Sequence, residues 1–336
     1  MIYVVIAFLW TALGMYIIFG GADFGAGIVE LFSTKDFKER TQQIMYKSIG
    51  PIWEANHMWL IIAIVILFVG FPTIYAQLSN HLHIPLVILL LGIIARGTSF
   101  TFRNYDVVKD KWHQLYAYIF TFSSLITPFF LGVIAASTVS GSIDHESNDF
   151  LQAYIFSWLT WFNVSVGIFT VSICGFLAAI FSIYTIDDRK DKSELRKLAH
   201  HYTYIIFITG GIVFAVSIWK EIPLFQWIFS AWYGYAAVIS ATIAIIILNF
   251  ALKQEKDIFI RILSGFIVLM ILFAVSYSHF PNLVLFKDGT TLSLLELGHS
   301  EKTIEMLAWA LLLGCIFILP FLFYLIYSFN KKEPIK

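Results

Sequence analysis

The sequence predicts an all-α polytopic membrane protein, and three observations carry that prediction. Apolar runs of about 20 residues, enough to cross a hydrocarbon core of about 30 Å, recur along all 336 residues. Only 13% of residues are charged and 59% are hydrophobic, against about 25% charged in a soluble domain. The ~10-residue alternating segments that build a membrane barrel do not occur. Mean hydropathy is +0.80. The formal net charge is zero, and no nucleic-acid partner is expected.

Taken in order, the runs predict nine spans at roughly 2–32, 49–71, 84–102, 114–138, 152–184, 202–220, 228–251, 260–280 and 306–329. They read as one integral membrane domain over 1–336, with four helices in 2–138, four in 152–280, and a ninth in 306–329. "MIYVVIAFLW" has no basic leading region, so it reads as a first span and not as a cleaved signal peptide. The connecting loops alternate in charge. "STKDFKER", "RNYDVVKDK", "DDRKDKSELRK", "KQEKDIFIR" and "KKEPIK" lie on one side with nearly all the Lys and Arg. The other side carries only Lys220, Lys287 and Lys302. Because cytoplasmic loops are the basic ones, the N-terminus is expected outside and the C-terminus in the cytoplasm. Cys174 and Cys315 fall inside apolar runs and read as packing residues, with no disulfide or metal site expected.

The first span contains "FGGADFGAG". A charge at the bilayer centre costs about 2.5–3.5 kcal/mol on insertion scales, so Asp23 needs an offsetting partner. Gly21 and Gly25 form a small-xxx-small pattern that lets helices approach closely, with Gly27 beside it. The second span opens "GPIWEANHMWLI", with a second acid, Glu54. In an antiparallel hairpin turning near residues 36–41, Asp23 and Glu54 fall at matching depth. Paired intramembrane acids point to a proton route. The alternative is structural, with Asp23 hydrogen-bonded to Asn56 or a Trp N–H. His57 reads as a core histidine, since no second ligand stands at a spacing that would pair with it. Arg96, in "ARGTSFTFR" with Arg103, either snorkels to the interface or pairs with a carboxylate. His81 and His83, and His200 and His201, read as solvated side chains. "DDRKD" has the look of a diphosphate-Mg²⁺ motif, but no second acidic cluster faces it, and it reads as a solvated loop.

"GADFGAG" followed by "GPIWEANHMWLI" resembles subunit II of the cytochrome bd-type quinol oxidases. That family carries a G-x-D-x-G-x-G-like element and a P-x-W-[DE]-x-N-x-x-W-L element. "ARGTSFTFR" and "SLITPFFLGV" extend the resemblance into the third and fourth spans. It implies two four-helix bundles plus one peripheral helix, in a multi-pass protein of the bacterial cytoplasmic membrane. It also implies a non-haem subunit of a terminal oxidase that oxidises quinol and reduces O₂ to water. The haems (b-type and d or b) and the quinol site would belong to subunit I. Further partners are lipid, quinone and, in some members, a small single-helix subunit. The resemblance assigns Asp23 and Glu54 to a proton route from the cytoplasm, supported by Trp53, Asn56, His57, Trp59, Arg96 and Arg103. The sequence departs from the family at Gly20, where some members have an acid, and at Tyr116 and Ala117, where some have W-D. From the residues alone, a proton-coupled secondary transporter is the main alternative, and a membrane prenyltransferase the third.

Overall fold

The structure, a computed structural model, describes residues 1–33, 38–49, 53–105, 111–147, 149–296 and 300–330. It does so apart from the side chains of Ile49, Glu54, Ala55, Asn104, Tyr105, Lys111, His113, Leu319, Leu322, Phe323 and 325–330.

The first apolar run is helical from Ile2 to Phe32, but not uniformly. α1 (Ile2–Met15) passes through a π-helical turn (Tyr16–Gly20) into α2 (Gly21–Phe32). Gly20 has no room for a side chain, because a Cβ there would lie 2.8 Å from the Tyr16 ring.

The polar stretch read as the loop between the first two spans is in part helical. It contains α3 (Lys38–Ile49), whose Ile44 and Met45 are buried in the core. α4 (Trp53–Gly70) then bends by 114° into α5 (Pro72–His81). Pro72 starts α5, where its missing N–H costs nothing. α6 (His83–Tyr105) and α7 (Lys111–Val139) follow.

The expected fifth span, 152–184, is two elements. α8 (Phe150–Tyr154) is capped by Asp149, and α9 (Trp161–Thr185) by the Thr160 hydroxyl, which accepts from the Asn163 N–H. The expected start of the sixth span at 202 is also too late. α10 (Arg189–Trp219) takes in the charged stretch read as a loop. Asp188 caps it by accepting from the Lys190 and Asp191 N–H groups, which hold its carboxyl below the usual carboxylate range. α11 (Leu224–Phe229), α12 (Trp232–Lys253) and α13 (Asp257–Ser276) complete this half. A hairpin of β1 (Asn282–Leu285) and β2 (Thr291–Ser293), turning at Gly289 with φ +86°, precedes α14 (Glu301–Asn330).

α9 is the central helix, packed against α2, α7, α10 and α13. One buried cluster joins α2 to α9 through Ala22, Ala26, Cys174 and Ala178. A second holds Val5 and Leu9 of α1 against α4 and α14. Among the described residues, seven helices are long and apolar enough to cross a membrane, and the bent α4/α5 pair makes up to eight. The chain is a multi-pass membrane protein.

Candidate buried-charge site

α2 and α6 meet through two ion pairs. Arg96 Nη2 donates to Asp23 Oδ1 at 2.7 Å and to the Asp23 carbonyl at 2.8 Å, and its Nη1 lies 2.7 Å from Asp23 Oδ2. Arg103 Nη1 lies 2.9 Å from both oxygens of Glu30. The offset between partners is 73 residues in both pairs, so the two helices run parallel. The pairs are seven residues apart on each helix, which is two turns or about 10 Å. All four side chains are buried, Asp23 at 0% and Arg96 at 1% exposure.

α7 supplies the walls. Arg96 Nε donates to Ser124 Oγ at 3.2 Å. The Phe120 ring stands 5.1 Å from the Arg96 guanidinium carbon and 4.2 Å from that of Arg103, so one aromatic ring serves both cations. Phe24 covers Arg96 from the α2 side at 5.3 Å. A lone buried charge is costly, but a carboxylate and a guanidinium together carry no net charge. Arg96 is therefore the offset that Asp23 requires. The bonding of Asp23 to Asn56 or a Trp N–H expected as the structural alternative is replaced by this pair, and Arg96 does not snorkel.

α4 brings a third group. His57 Nε2 lies 3.4 Å from Asp23 Oδ2. Its ring packs 5.7 Å from Phe24 and 6.3 Å from each of Tyr16 and Trp53. The Tyr16 hydroxyl and His57 Nδ1 are buried without a protein partner among the described residues. Groups of that kind are satisfied by water. The π turn places Tyr16 here, and π turns recur at functional sites. Trp53 also packs on Phe100 at 5.5 Å. Asn56 is buried, and Trp59 packs with the cluster of Val5 and Leu9. The Glu54 side chain lies outside the described residues.

The glycines act as spacers, though not toward α4. A Cβ on Gly25 would lie 1.9 Å from the Cys174 carbonyl oxygen of α9, and one on Gly21 would lie 3.2 Å from Leu177. A Cβ on Gly27 would lie 2.3 Å from Ser124 Oγ of α7. The small-residue face thus seats α2 on α9 and α7, and turns Asp23 toward α6 and α4. Glu30 was missed in the sequence reading. Its signal was present: Glu30 follows Asp23 by the same seven residues that separate Arg103 from Arg96.

The other motifs are absorbed locally. His81 pairs with Gln77, His83 with the Asn80 carbonyl, and His201 with the Lys197 carbonyl. Within "DDRKD", Asp188 caps α10 and Asp191 binds Arg40 at 2.6 Å. Among the described residues, one group, the exposed His145, Glu146 and Asp288, brings possible ligand atoms within 4.8 Å of one another, away from the buried pairs.

Comparison with known proteins gives one answer. Residues 1–329 match the family model described as cytochrome bd terminal oxidase subunit II. The chain is 30% identical over 202 residues to the cytochrome bd ubiquinol oxidase subunit 2 of Bacillus subtilis strain 168, covering 60% of this chain and 58% of that one. It is 26% identical over 180 residues to the cytochrome bd-I ubiquinol oxidase subunit 2 of Escherichia coli K12, covering 51% and 46%. These alignments thus span roughly half of each relative's length. The structure superposes on a chain of the bd oxidase from Geobacillus thermodenitrificans with a TM-score of 0.79 at 18% identity, covering 99% of both chains.

Proposed function

Because the chain belongs to the cytochrome bd terminal oxidase subunit II family, we propose that it is the haem-free subunit of a quinol-oxidising, O₂-reducing complex of the bacterial cytoplasmic membrane. Its partner is a haem-bearing subunit I, and a small single-helix subunit is a further candidate. Nine spans, two four-helix bundles and a peripheral helix, with the N-terminus outside, complete this reading. The basic loops support the orientation.

One observation carries a role beyond support: a neutralised carboxylate buried where three helices meet. Reduction of O₂ to water consumes protons. Asp23 and Glu54 help conduct them from the cytoplasmic side, with Trp53, Asn56, His57, Trp59 and Arg96 shaping the route and Arg103 holding α6 to Glu30 of α2 beside it. Arg96 allows a carboxylate to persist at this depth, and the buried Tyr16 hydroxyl and His57 Nδ1 support local hydration. In this reading the haems of the partner supply the electron chemistry. His57 turns Nε2 to the Asp23 carboxylate at 3.4 Å. A proton-coupled transporter is the second reading, and the bent α4/α5 pair favours it. It calls for broken helices at corresponding places in both halves, and one bent pair stands among the described residues.

Purifying the complex through a tag on this chain tests the proposal. Co-purification of a haem-bearing partner with quinol-dependent O₂ uptake is expected. A chain that purifies from its native membrane without haem or quinol oxidase activity contradicts it.

A further inference from the structure

We propose that Arg261, with Lys253 and Lys256 of the α12–α13 turn, binds the phosphate of an anionic phospholipid. The inference is independent of the proton-route reading, because none of its groups belongs to that route.

Arg261 stands in the second turn of α13. Its guanidinium carbon lies 4.7 Å from the Phe181 ring and 5.7 Å from the Tyr184 ring, both on α9. Ring faces attract the cation but leave its N–H donors unused. Among the described residues no carboxylate or other acceptor takes them. The contrast with the other arginines is clear. Arg40, Arg96, Arg103 and Arg196 each have a carboxylate oxygen at 3.0 Å or less, and the remaining described arginine, Arg189, is fully exposed. Arg261 is half-buried and unpaired.

The natural partner is already taken. Asp257 precedes Arg261 by four residues, which puts both on one face of α13. Its Oδ2 accepts from Lys192 Nζ of α10, and its Oδ1 lies 3.3 Å from Arg196 Nη2. Glu255, in the turn itself, accepts from Arg196 Nη1 at 3.0 Å. α10 therefore neutralises both acids of this segment. Lys253 and Lys256 are exposed and have no partner among the described residues. An excess of positive charge is left at Lys253, Lys256 and Arg261.

The surroundings select the anion. α13 is long and apolar enough to cross a membrane. Ile258, Ile262, Phe266, Leu269 and Phe273 are exposed and follow one another at spacings of four and three, so they form one apolar stripe along the helix. Arg261 adjoins the end of that stripe nearest the charged turn. A phospholipid presents the same order, with a phosphate at the surface and acyl chains below it. The guanidinium fork matches two oxygens of a phosphate and keeps its charge at this depth. The lysines at the turn favour an anionic headgroup over a zwitterionic one.

The test uses the assembled complex, purified through this chain and depleted of lipid in detergent. Dioleoylphosphatidylglycerol is titrated in, and bound lipid is counted by native mass spectrometry. One phosphatidylglycerol should bind the wild type tightly, and Arg261→Gln should weaken it about tenfold. Arg261→Lys, which keeps the charge and loses the fork, should fall between them. Dioleoylphosphatidylcholine should bind the wild type more weakly, and Lys253→Gln with Lys256→Gln should abolish that preference. Inorganic phosphate at millimolar concentration should leave the lipid in place. Equal phosphatidylglycerol affinity in the wild type and Arg261→Gln would overturn the inference. Displacement by inorganic phosphate would overturn the lipid assignment and leave a free-anion site. Loss of the partner subunit from Arg261→Gln would overturn it too, since the arginine would then pair with a carboxylate of that partner. An unchanged headgroup preference in the lysine variant would refute it whatever the yield of Arg261→Gln.

Discussion

Arg96 grips Asp23 with both terminal nitrogens at 2.7 Å, and neither side chain is more than 1% exposed. This pair explains how a carboxylate persists in the middle of a long apolar helix. Removing one partner leaves the other as an uncompensated buried charge, a loss of about 3–5 kcal/mol. Asp23→Asn and Arg96→Gln should each lower complex yield and the apparent melting temperature in detergent. The double variant should lose less than the sum of the two, because no lone charge remains. Additive losses in a double-mutant cycle would show that the pair is not coupled.

The Glu30–Arg103 pair should behave as a structural element. Arg103→Lys removes the planar group that sits over Phe120 and faces both Glu30 oxygens. A loss of roughly 1–2 kcal/mol in stability is expected, within the range of ordinary destabilising substitutions. Turnover per haem should stay unchanged. A changed pH profile at full haem content would move this pair into the proton route.

The glycines should rank by what a Cβ would meet. Gly25→Ala should block assembly, because backbone of α9 lies 1.9 Å from the new atom. Gly21→Ala should be tolerated, since its neighbours are the side chains of Leu177 at 3.2 Å and Cys174 at 3.5 Å. Gly27→Ala should fall between them, because Ser124 can rotate only by giving up Arg96 Nε. Complex yield from matched cultures checks the order, and equal yields for Gly21→Ala and Gly25→Ala would refute it.

Outside the spans, Lys287 bonds to Asp144 at 2.9 Å and holds its carboxyl below the usual carboxylate range. The Lys287 N–H also donates to the Ile143 carbonyl, docking the hairpin tip on the loop after α7. With a depressed folded-state pKa, this contribution is present above the ordinary carboxylate pKa of about 3.9. It is lost as pH falls through the lower, folded value. Corrected for intrinsic rates, hydrogen exchange at residues 286–290 should be slow at neutral pH and faster once pH falls below the ordinary carboxylate range. Protection that does not change with pH would show that the ion pair adds nothing to docking.

Much of this architecture was legible in the sequence because lipid leaves so few options. Apolar length marked helices, and a carboxylate in lipid announced a partner. The boundaries that slipped did so where polar residues do helical work. "DDRKDKSELRK" reads as a solvated loop by charge, yet Asp188 caps the helix that runs through it. "SWLT" reads as apolar continuation, yet Thr160 is the cap at which α9 begins. Glu30 stands near the helix end, outside the Gly-Asp element that draws attention to the first span. Only comparison of the two seven-residue spacings exposes it. The π turn at Tyr16–Gly20 has no composition signal, since it depends on how Tyr16 packs over Gly20.

The central claim is that this chain delivers cytoplasmic protons to the O₂-reducing partner. Glu54→Gln tests it most directly, because Gln preserves shape and hydrogen bonding while removing the exchangeable proton. The measurement is quinol oxidase turnover per haem in proteoliposomes, with proton uptake followed on the cytoplasmic side. The account predicts full haem content with turnover and proton uptake slowed together, several-fold. Wild-type turnover and uptake at unchanged haem content would contradict it and leave the buried charges as structural groups.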